Sequence, residues 1–585
     1  MSPRSTISSP RSFVSPWAVF PRASRSLLAD LPVFGLGIAV FYSIIAISRY
    51  WGSPLTAQFE VDLHPRALPV YVFYSVMRIT IAYFLSLAFT LVYGYIAAYN
   101  PRAERFMIPL LDVLQSIPVL SFLPGVMLAM VSLFPKNQLG LELGAILLIF
   151  TGQVWNMAFS FYASLKSIPQ EMREAAQLYR FSWWQAFTQM ELPYAVIGLV
   201  WNSMMSVAGG WFFLMACEMF VLGNRDFRLP GLGSYLQTAS NAGDTRAILW
   251  GLGAMLAVII LTDQLVWRPL IAWAQKFKVE NVEATDVPRS PILDLIRRSR
   301  LVAFLSRKSV APVREALLLH FAGSGVQTES KSEKSRARAW LLGLLAVALL
   351  GGIFYAVFKS AVLLAALTGE EMKSVLVGAS ATFLRVNVTL LLGALWTIPV
   401  GVAIGSRPRL ARVAQPIAQI AASVPATALF PVVLLALVHL GGGLGVGSIV
   451  LLLLGTQWYI LFNVIAGASA IPTDLKEVCN VFSFNQFERW RKLILPAIFP
   501  FLITGLVTAS GGAWNASIVA EYFHFKEKIF STVGLGAVIS QATDSGNFRL
   551  LLAATLFMAA IVVTINRLLW RRMYRLAATR FKLES

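Results

Sequence analysis

The sequence predicts an all-α polytopic membrane protein of about twelve transmembrane helices, arranged as two parallel six-helix repeats. Of its 585 residues, 57% are hydrophobic and only 13% are charged, and the mean hydropathy is +0.67. Soluble domains are typically about 25% charged. A bilayer core of about 30 Å needs roughly 20 apolar residues per helix. The apolar runs are continuous over such lengths, which argues against the alternating pattern of a transmembrane β-barrel.

Twelve apolar runs divide into two sets of six. The first set lies near residues 27–49, 69–98, 107–134, 140–164, 194–222 and 246–273. The second set lies near residues 339–361, 376–406, 411–440, 443–468, 497–522 and 548–569. We therefore expect a basic cytoplasmic tail over 1–26, a first transmembrane repeat over 27–273, a cytoplasmic linker over 274–338, a second transmembrane repeat over 339–575 and a cytoplasmic C-terminal tail over 576–585.

The distribution of charge indicates how the chain is oriented. The net charge is +20, and basic residues concentrate in tails and short loops, as at Arg22 and Arg25 before the first span and Arg571 after the last. Lys and Arg mark the cytoplasmic side of membrane proteins. We therefore expect both termini on the cytoplasmic side of a bacterial inner membrane, and we favour this topological role over nucleic-acid binding.

The residues that catalysis usually requires are sparse. The chain has four His and two Cys, and Cys217 and Cys479 lie on a predicted span and in a polar segment. They provide neither a disulfide framework nor a metal or nucleophile cluster. The sequence also has no G-x-x-x-x-G-K-[ST] phosphate loop. We expect no enzyme activity, no catalytic residue, no metal and no other cofactor in this chain.

The two sets of spans are repeats of each other. Arg78 corresponds to Arg385 at an offset of 307 residues. The offset becomes 303 after a short loop near 135–141, so that Glu218 corresponds to Glu521. Further identical pairs are Gly94/Gly401, Ser116/Ser423, Pro118/Pro425, Pro124/Pro431, Trp155/Trp458, Gly231/Gly534 and Gly233/Gly536. An even number of spans separates equivalent points, which predicts parallel repeats around one central pathway.

Two polar segments of equal length interrupt the apolar runs. We call residues 174–193 the first polar island and residues 477–496 the second polar island. In each, Glu comes first and Leu-Pro closes the segment nineteen positions later. Pro169 and Pro472 precede these glutamates and suit the first turn of a helix. We predict two short helices with a bend between them on the cytoplasmic side, with Leu-Pro opening the next span.

A plain connecting loop leaves this repeated length and punctuation unexplained, whereas a fixed shape presented twice suits a two-fold symmetric partner. The islands resemble the EAA loop of binding-protein-dependent ABC importers, whose pattern is Glu-Ala-Ala, three residues, Gly, nine residues, Ile, any residue, Leu-Pro. The residues that match are Glu174, Ala175, Ala176, Leu192 and Pro193 in the first polar island, and Glu477, Leu495 and Pro496 in the second.

The sequence departs from this pattern at the family glycine, which is Arg180 in the first polar island and Ser483 in the second. If that position needs a left-handed backbone conformation, a residue other than Gly costs about 1 kcal/mol or more. In the second polar island, Val478 and Cys479 also replace the two alanines.

The flanking motifs resemble those of the nitrate/sulfonate/taurine-type permeases in particular. They include IPVLSFLP, the segments around Trp155 and Trp458, and the later GLG. The resemblance covers about five spans of each half. Two permease chains pair in most importers of this kind, so the resemblance implies a duplicated, fused form with two permease repeats.

The resemblance also implies partners and a substrate class. Each polar island would act as a coupling helix on a separate ABC ATPase subunit, with two copies of that subunit carrying ATP and Mg. Glu174 and Glu477 would pair with basic groups of the ATPase. A periplasmic or extracellular solute-binding protein would deliver a small anion or organic solute of the nitrate, sulfonate, taurine or bicarbonate class, and lipids would surround the spans.

Paired residues within the spans are the candidates for the substrate pathway, because ionisable residues and helix breaks inside membranes are costly. The candidates are Pro118, Pro124, Trp155 and Glu218 in the first repeat, and Pro425, Pro431, Trp458 and Glu521 in the second. The prolines would either open the backbone towards the pathway or form packing kinks. The tryptophans would gate the path or sit in an interface.

The charged pairs have several interpretations. Glu218 and Glu521 would line the cavity, pair with arginine, or meet a docked binding protein. Arg78 and Arg385 would take part in the pathway or snorkel to lipid headgroups. An ATP-independent secondary transporter with two parallel repeats is the alternative function, and the paired EAA-type motifs argue against it. A purely structural scaffold leaves the duplicated kinked spans unexplained.

Overall fold

The computed structural model describes most of both repeats. The described residues are 30, 34–35, 47, 49–54, 60–222, 225–277, 290–313, 315–316, 344, 351–352, 354–355, 357–439, 443–471, 473–525 and 528–580. The predicted first span of each repeat, near 27–49 and 339–361, lies largely outside the described residues. Most of the predicted linker over 274–338 also lies outside them.

The first repeat is almost entirely helical. Its helices are α1 (Leu68–Tyr99), α2 (Pro101–Ser116), α3 (Leu123–Leu133), α4 (Leu139–Lys166), α5 (Gln170–Leu178), α6 (Trp183–Ala186), α7 (Leu192–Glu218), α8 (Leu232–Ala242), α9 (Thr245–Thr262) and α10 (Arg268–Ala274). The strands β1 (Val221–Leu222) and β2 (Arg225–Asp226) form an antiparallel hairpin. Short 3₁₀ helices span Pro65–Ala67, Val119–Phe122 and Gln275–Phe277, and π-helices span Phe187–Glu191 and Asp263–Trp267.

Two helices and a π-turn follow within the predicted linker, namely α11 (Pro291–Arg298), α12 (Arg300–Leu305) and the π-helix Ser306–Val310. The second repeat contains α13 (Gly369–Gly405), α14 (Pro408–Ser423), α15 (Ala426–His439), α16 (Leu444–Ser469), α17 (Thr473–Val481), α18 (Gln486–Arg489), α19 (Leu495–Ala520), α20 (Leu535–Asp544), α21 (Phe548–Ile565) and α22 (Arg571–Arg580). Its strands are β3 (Tyr522–Phe525) and β4 (Lys528–Ser531), and its π-helices are Trp490–Ile494 and Asn566–Trp570. The all-α polytopic fold class is therefore confirmed.

Eight helices in the described part of the chain are long and apolar enough to cross a membrane. They contain the predicted spans 69–98, 140–164, 194–222, 246–273, 376–406, 443–468, 497–522 and 548–569, each within a few residues. Several are longer than predicted: one continuous helix runs over Gly369–Gly405 and another over Gln486–Ala520.

The apolar runs 107–134 and 411–440 are interrupted, as the prolines within them predicted. Each run is divided into two helices, α2 and α3 in the first repeat and α14 and α15 in the second. A proline restricts the residue before it to extended backbone. Ile117 before Pro118 has φ −79° and ψ 125°, and Val424 before Pro425 has φ −74° and ψ 116°. The first proline of each copy therefore ends the preceding helix.

The second proline of each copy does not interrupt a helix, contrary to the prediction. Pro124 occupies the first turn of α3, where its missing N–H costs nothing. Pro431 lies within α15, and that helix continues through it to His439.

The chain forms two compact units. One comprises Met1–Arg49, Phe159–Met204 and Leu261–Ser332, and the other comprises Tyr50–Ala158, Met205–Ile260 and Glu333–Ser585. The second unit takes in residues of both repeats, and its main buried cluster includes Leu123 and Cys217 together with Trp514 and Ile518. Hydrogen bonds also join the repeats there, since the Thr555 hydroxyl donates to the Ser121 carbonyl at 3.1 Å.

Candidate functional site

The first polar island begins as a short amphipathic helix. Helix α5 starts directly after Pro169, whose backbone is extended at φ −54° and ψ 145°. Glu174 is exposed on this helix and accepts a hydrogen bond from the Gln170 amide at 2.8 Å. Ala176 is buried and Ala175 is exposed, so the two motif alanines face opposite environments. The same division holds for exposed Val478 and buried Cys479 in the second polar island.

Helix α5 ends in a left-handed bend at the position of the family glycine. Arg180 has φ 51°, and the equivalent Ser483 also has φ 51°. The Arg180 N–H donates to the Gln177 carbonyl and the Phe181 N–H donates to the Ala176 carbonyl, each at 2.9 Å. This pair of bonds is the Schellman motif that normally has Gly in the left-handed position. The position of the family glycine thus takes the left-handed conformation here, and a residue with a Cβ adopts it in both copies.

The second polar island repeats this ending. The Phe484 N–H donates to the Cys479 carbonyl at 3.0 Å, and the Phe482 N–H donates to the Val478 carbonyl at 2.9 Å. Two sequences that share few side chains therefore build the same bend. The backbone geometry, rather than a particular side chain, is what the two polar islands have in common.

A capping box restarts the helix after each bend. The Ser182 hydroxyl accepts from the Gln185 N–H at 3.4 Å, and the Gln185 side chain accepts from the Ser182 N–H at 2.8 Å. Asn485 and Glu488 form the equivalent pair. The reciprocal bonds satisfy two helix-end donors and set the angle at which the new helix begins.

A π-turn precedes the Leu-Pro pair in both polar islands. The Leu192 N–H donates to the Phe187 carbonyl, five residues earlier, and the Leu495 N–H donates to the Trp490 carbonyl. A proline inside an α-helix removes one hydrogen bond and clashes with the carbonyl four residues before it. The wider turn accommodates Pro193 and Pro496 without ending the helix.

The helix after each bend is consequently not separate, as predicted, but runs directly into a long apolar helix. The continuous helices are Trp183–Glu218 and Gln486–Ala520. Leu-Pro lies inside these helices rather than at the start of a new one. The prediction of two short helices joined by a bend is therefore confirmed at the bend and wrong about where the second helix ends.

Large apolar side chains are exposed at both bends. Leu178 is 81% exposed and Tyr179 74% exposed, and their counterparts Val481 and Phe482 are 80% and 69% exposed. Phe487 is exposed as well. We call these five residues the bend surfaces. Single exposed apolar residues are common, but clusters at equivalent positions of two repeats mark a contact surface for protein or for lipid. These residues were missed in the sequence, although their recurrence at an offset of 303 was a detectable signal.

A second repeated site is buried within the helices of the larger compact unit. Arg78 is fully buried and is the centre of this cluster in the first repeat. Its Nε and Nη2 donate to the two oxygens of Glu142 at 2.7 and 2.6 Å, and its Nη1 donates to Glu218 Oε1 at 2.8 Å. The interpretation that Arg78 snorkels to lipid headgroups is therefore wrong. Of the interpretations of Glu218, pairing with arginine is confirmed.

The GLG motif is held by the same glutamate. Glu218 Oε2 accepts from the Gly233 N–H at 2.7 Å. The Ser75 hydroxyl donates to Glu218 Oε1 at 2.7 Å and accepts from the Leu232 N–H at 2.9 Å. A Cβ on Gly231 would lie 2.2 Å from the Glu218 carboxyl carbon, so only glycine allows this approach. The buried carboxylate thus anchors the start of α8.

The second repeat has an equivalent cluster around Arg385. Its Nη1 donates to Glu521 Oε1. Thr382 takes the place of Ser75, donating to Glu521 at 2.7 Å and accepting from the Leu535 N–H at 2.8 Å. Glu521 also accepts from the Gly536 N–H at 2.9 Å.

Glu142 was missed from the sequence as a site residue. It lies in the apolar stretch LELGAILLIF, and an ionisable residue in such a run is itself a signal. Its counterpart in the second repeat is Gly445, so comparison of the repeats did not reveal it.

A cavity of ≈ 580 Å³ lies between residues of the two repeats within the larger compact unit. Pro124 and Phe220 line it from the first repeat, and Tyr522 from the second. Its polar lining includes Arg228 and Asp544. Of the predicted pathway residues, Pro124 lines this cavity, and Glu218 and Glu521 each directly precede a lining residue in the chain.

The remaining pathway candidates lie elsewhere in the described part of the chain. Pro118 and Pro425 are buried at the helix breaks. Trp155 and Trp458 are half-buried on α4 and α16. A pathway role for these residues remains a prediction.

The fold, the two structural repeats and the repeated bends define a duplicated, helical membrane protein. The chain belongs to the family described as the binding-protein-dependent transport system inner membrane component, whose model matches residues 90–263 and again residues 397–582. The inferred family and the fused, duplicated form are thereby confirmed.

Known relatives share part of the sequence. The nitrate import permease protein NrtB of Leptolyngbya laminosa is 28% identical over 189 residues, covering 32% of this chain and 64% of its own. The bicarbonate transport system permease protein CmpB of Synechocystis sp. is 28% identical over 176 residues, covering 30% of this chain and 60% of its own. The putative aliphatic sulfonates transport permease protein SsuC of Bacillus subtilis is 26% identical over 207 residues, covering 35% and 70%. The chain thus spans less than two thirds of the length of the first two relatives.

Proposed function

We propose that this chain is the fused permease subunit of an ABC importer in a bacterial inner membrane, with both termini cytoplasmic. It moves a small anion or organic solute of the nitrate, bicarbonate, sulfonate or taurine class inward, powered by separate ATPase subunits. The observation that carries this proposal is the pair of left-handed bends, Arg180 and Ser483, each presenting exposed apolar side chains.

The bend surfaces suit docking in a groove of another protein. Burial of a Leu- or Phe-sized side chain contributes about 1.5–3 kcal/mol. Leu178 and Tyr179 would supply this burial on one ATPase subunit, and Val481 and Phe482 on a second. Glu174 and Glu477 are exposed beside these surfaces, where they would pair with basic groups of each ATPase.

The continuous helices would carry movement from the ATPase into the membrane. The helix Gln486–Ala520 begins beside the second bend and ends directly before Glu521. Its 35 residues extend about 50 Å at roughly 1.5 Å per residue. A displacement of the bend is therefore transmitted as rigid-body motion to the cluster at Arg385. ATP and Mg would reside on the partner, and a solute-binding protein would dock on the opposite side.

We place the substrate pathway along the cavity between the repeats, beside Pro124 and the helix breaks at Pro118 and Pro425. Solute that a binding protein releases would enter here when the ATPases drive the repeats apart. Trp155 and Trp458 and the second proline, Pro431, would line or gate the remainder of the path.

Paired variants of the polar islands test the coupling role. The chain would be coexpressed with the ATPase subunit of its own transporter, and complex formation would be measured by size-exclusion chromatography. We expect Glu174→Gln with Glu477→Gln to weaken the complex at least tenfold and to reduce ATP-driven nitrate or bicarbonate uptake, because each ATPase loses a charged contact. Leu178→Ser with Val481→Ser should weaken it further, because two large contacts are lost.

Glu60→Gln is the matched control, since Glu60 is exposed and lies outside both polar islands. It should leave the complex and the uptake unchanged. Membrane insertion should be normal for all variants. Normal assembly and uptake in both paired variants would show that the polar islands are not coupling segments.

A further inference from the structure

The two repeats build the same buried cluster with one residue exchanged. In the first repeat, Glu142 contacts Arg78 along one edge of the guanidinium through two parallel hydrogen bonds of 2.7 and 2.6 Å. This fork-to-fork pairing is the geometry in which arginine binds planar oxyanions. At the equivalent position the second repeat has Gly445, because Gly140-Leu141-Glu142 aligns with Gly443-Leu444-Gly445.

The remainder of the cluster is retained around Arg385. Its Nη1 contacts Glu521, and its Nη2 donates to the Val533 carbonyl at 3.1 Å. Arg78 donates to the equivalent Pro230 carbonyl at 2.8 Å, but through Nη1. Within the described part of the chain, no second carboxylate contacts Arg385 as Glu142 contacts Arg78.

Gly445 leaves space beside this guanidinium. The nearest described atom to a Cβ at Gly445 is the Thr532 hydroxyl oxygen, at 3.8 Å. Arg385 Nη2 donates to the same hydroxyl at 3.4 Å, so Gly445 lies close to the arginine. The Arg385 side chain is 10% exposed, whereas that of Arg78 is 0% exposed. Among the described residues, the second cluster is therefore nearly buried but open where Glu142 fills the first.

The charge balance differs in the same way. Arg78 is paired with two carboxylates, whereas Glu521 is the one carboxylate of the described residues that pairs with Arg385. One monovalent anion on Arg385 would reproduce the composition of the first cluster. Gly445 also lies in the first turn of α16, where the helix dipole favours negative charge.

We propose that Arg385 and Gly445 form a binding site for a planar oxyanion, such as nitrate or bicarbonate, at the place that Glu142 fills in the first repeat. The anion accepts from Nε of Arg385 and from the Nη2 N–H that otherwise makes the long 3.4 Å bond to Thr532, on the edge that Glu142 occupies at Arg78. Each chain has one such site, because the first repeat carries its own carboxylate. The inference rests on the proposed function, because it treats the bound anion as the transported solute.

Equilibrium binding to the purified full-length chain in an uncharged detergent tests the site without an ATPase. Sodium nitrate and sodium bicarbonate would be titrated calorimetrically at constant ionic strength against chloride, with sulfate as a tetrahedral comparison. We expect one nitrate or bicarbonate per chain and at least tenfold weaker binding of sulfate. Arg385→Gln should abolish the binding.

Exchanging the single differing residue gives the sharper test. Gly445→Glu should weaken nitrate binding at least tenfold while the chain stays folded, because the new carboxylate reproduces the first cluster and fits the open space. Glu142→Gly should raise the number of nitrate sites from one to two, because it recreates the second cluster around Arg78. If Arg385→Gln fails to fold, these two variants decide whether Arg385 and Gly445 form the anion site.

The proposal is overturned if neither planar anion binds the unaltered chain, or if Gly445→Glu binds nitrate as tightly as the unaltered chain does. It is also overturned if only anionic lipid stabilises the chain through Arg385, because the anion would then be a phosphate headgroup. Nitrate binding at Arg385 without ATP-driven uptake would keep this site and contradict the proposed function. ATP-driven uptake without nitrate binding at Arg385 would contradict this site and keep the proposed function.

Discussion

At the residue scale, Arg180 and Ser483 are strained because each carries a Cβ at a left-handed backbone position. Both have φ 51°, and in each copy the N–H of the following residue, Phe181 or Phe484, donates to a carbonyl of the preceding helix. A Cβ in this conformation costs about 1–2 kcal/mol relative to glycine. The cost is tolerated because the flanking helices determine the conformation from both sides. A residue other than glycine would be retained at these positions if its side chain contacted the docked ATPase.

Arg180→Gly should stabilise the first bend by about 1 kcal/mol, because glycine adopts positive φ without the Cβ penalty. Hydrogen exchange of the Phe181 amide, which donates to the Ala176 carbonyl, would measure the free energy of opening. Arg180→Ala is the control, since it removes the guanidinium and keeps the Cβ. Equal protection in the glycine and alanine variants would contradict the strain.

Gly231 and Gly534 should be among the least replaceable glycines in the described chain. A Cβ on either lies within 2.2 Å of an atom of the buried Glu218 or Glu521 carboxylate. We expect Gly231→Ala to destabilise the chain by about 1–3 kcal/mol or more, because the carboxylate is held by several partners and has no room to retreat. The thermal midpoint and yield of monodisperse protein would report the loss.

Gly253→Ala is the matched control for this prediction. Gly253 lies in α9, and in the described part of the chain no atom beyond its own helix turn lies within 4 Å of a Cβ built there. Alanine favours a helix interior over glycine by roughly 0.5–1 kcal/mol, so the control should be neutral or slightly stabilising. If Gly231→Ala behaved like Gly253→Ala, the carboxylate would not be the constraint on the GLG motif.

At the element scale, each polar island is a helix, a left-handed bend and a second helix that continues into the membrane-spanning segment. The capping box fixes the direction in which that second helix leaves the bend. Ser182 and Asn485 are different residues with the same role, which is typical of N-cap positions. The angle between the bend and the long helix therefore depends on a few local hydrogen bonds.

Ser182→Ala should weaken the start of this helix by about 1 kcal/mol, because the Gln185 N–H loses its acceptor. Faster hydrogen exchange of the Gln185 amide would show this weakening. ATPase binding should fall less than in the paired polar-island variants. Ser182→Thr should behave like the unaltered chain, since threonine also caps. A Ser182→Ala variant with unchanged exchange at Gln185 would mean that tertiary contacts set the angle.

Sequence patterns predicted the elements better than their ends. The length and punctuation of the polar islands indicated a bend, because local motifs such as Pro169 and the family glycine position act over a few residues. They did not indicate that Pro193 would lie within a continuous helix. The π-turn that accommodates it depends on a hydrogen bond from Leu192 to Phe187, which hydrophobic periodicity does not reveal.

At the scale of the whole molecule, one chain holds both copies of a permease repeat, and this allows the copies to differ. The exchange of Glu142 for Gly445 is such a difference, since a pair of identical subunits would carry the same residue twice. A fused chain can therefore use its two repeats, which are related by a pseudo-two-fold axis, for different functions.

Uptake by the reconstituted chain separates the importer from a secondary transporter. We expect the chain alone in proteoliposomes to show no nitrate or bicarbonate uptake under a proton or sodium gradient. With its ATPase and binding protein, uptake should require ATP, because work reaches the spans through the polar islands. A matched preparation carrying Glu174→Gln and Glu477→Gln should lose that uptake. Gradient-driven uptake by the chain alone would favour the secondary transporter instead.

The sequence by itself determined the class of fold, the duplication, the family and the place of the two polar islands. These follow from composition, from offsets between identical residues and from short motifs, all of which are local or linear in the chain. Only the tertiary structure decided which charges meet. Arg78 is 64 residues from Glu142 and 140 from Glu218, and no spacing rule connects them. A buried charge is stable only with its partners in place, and packing of distant helices determines those partners.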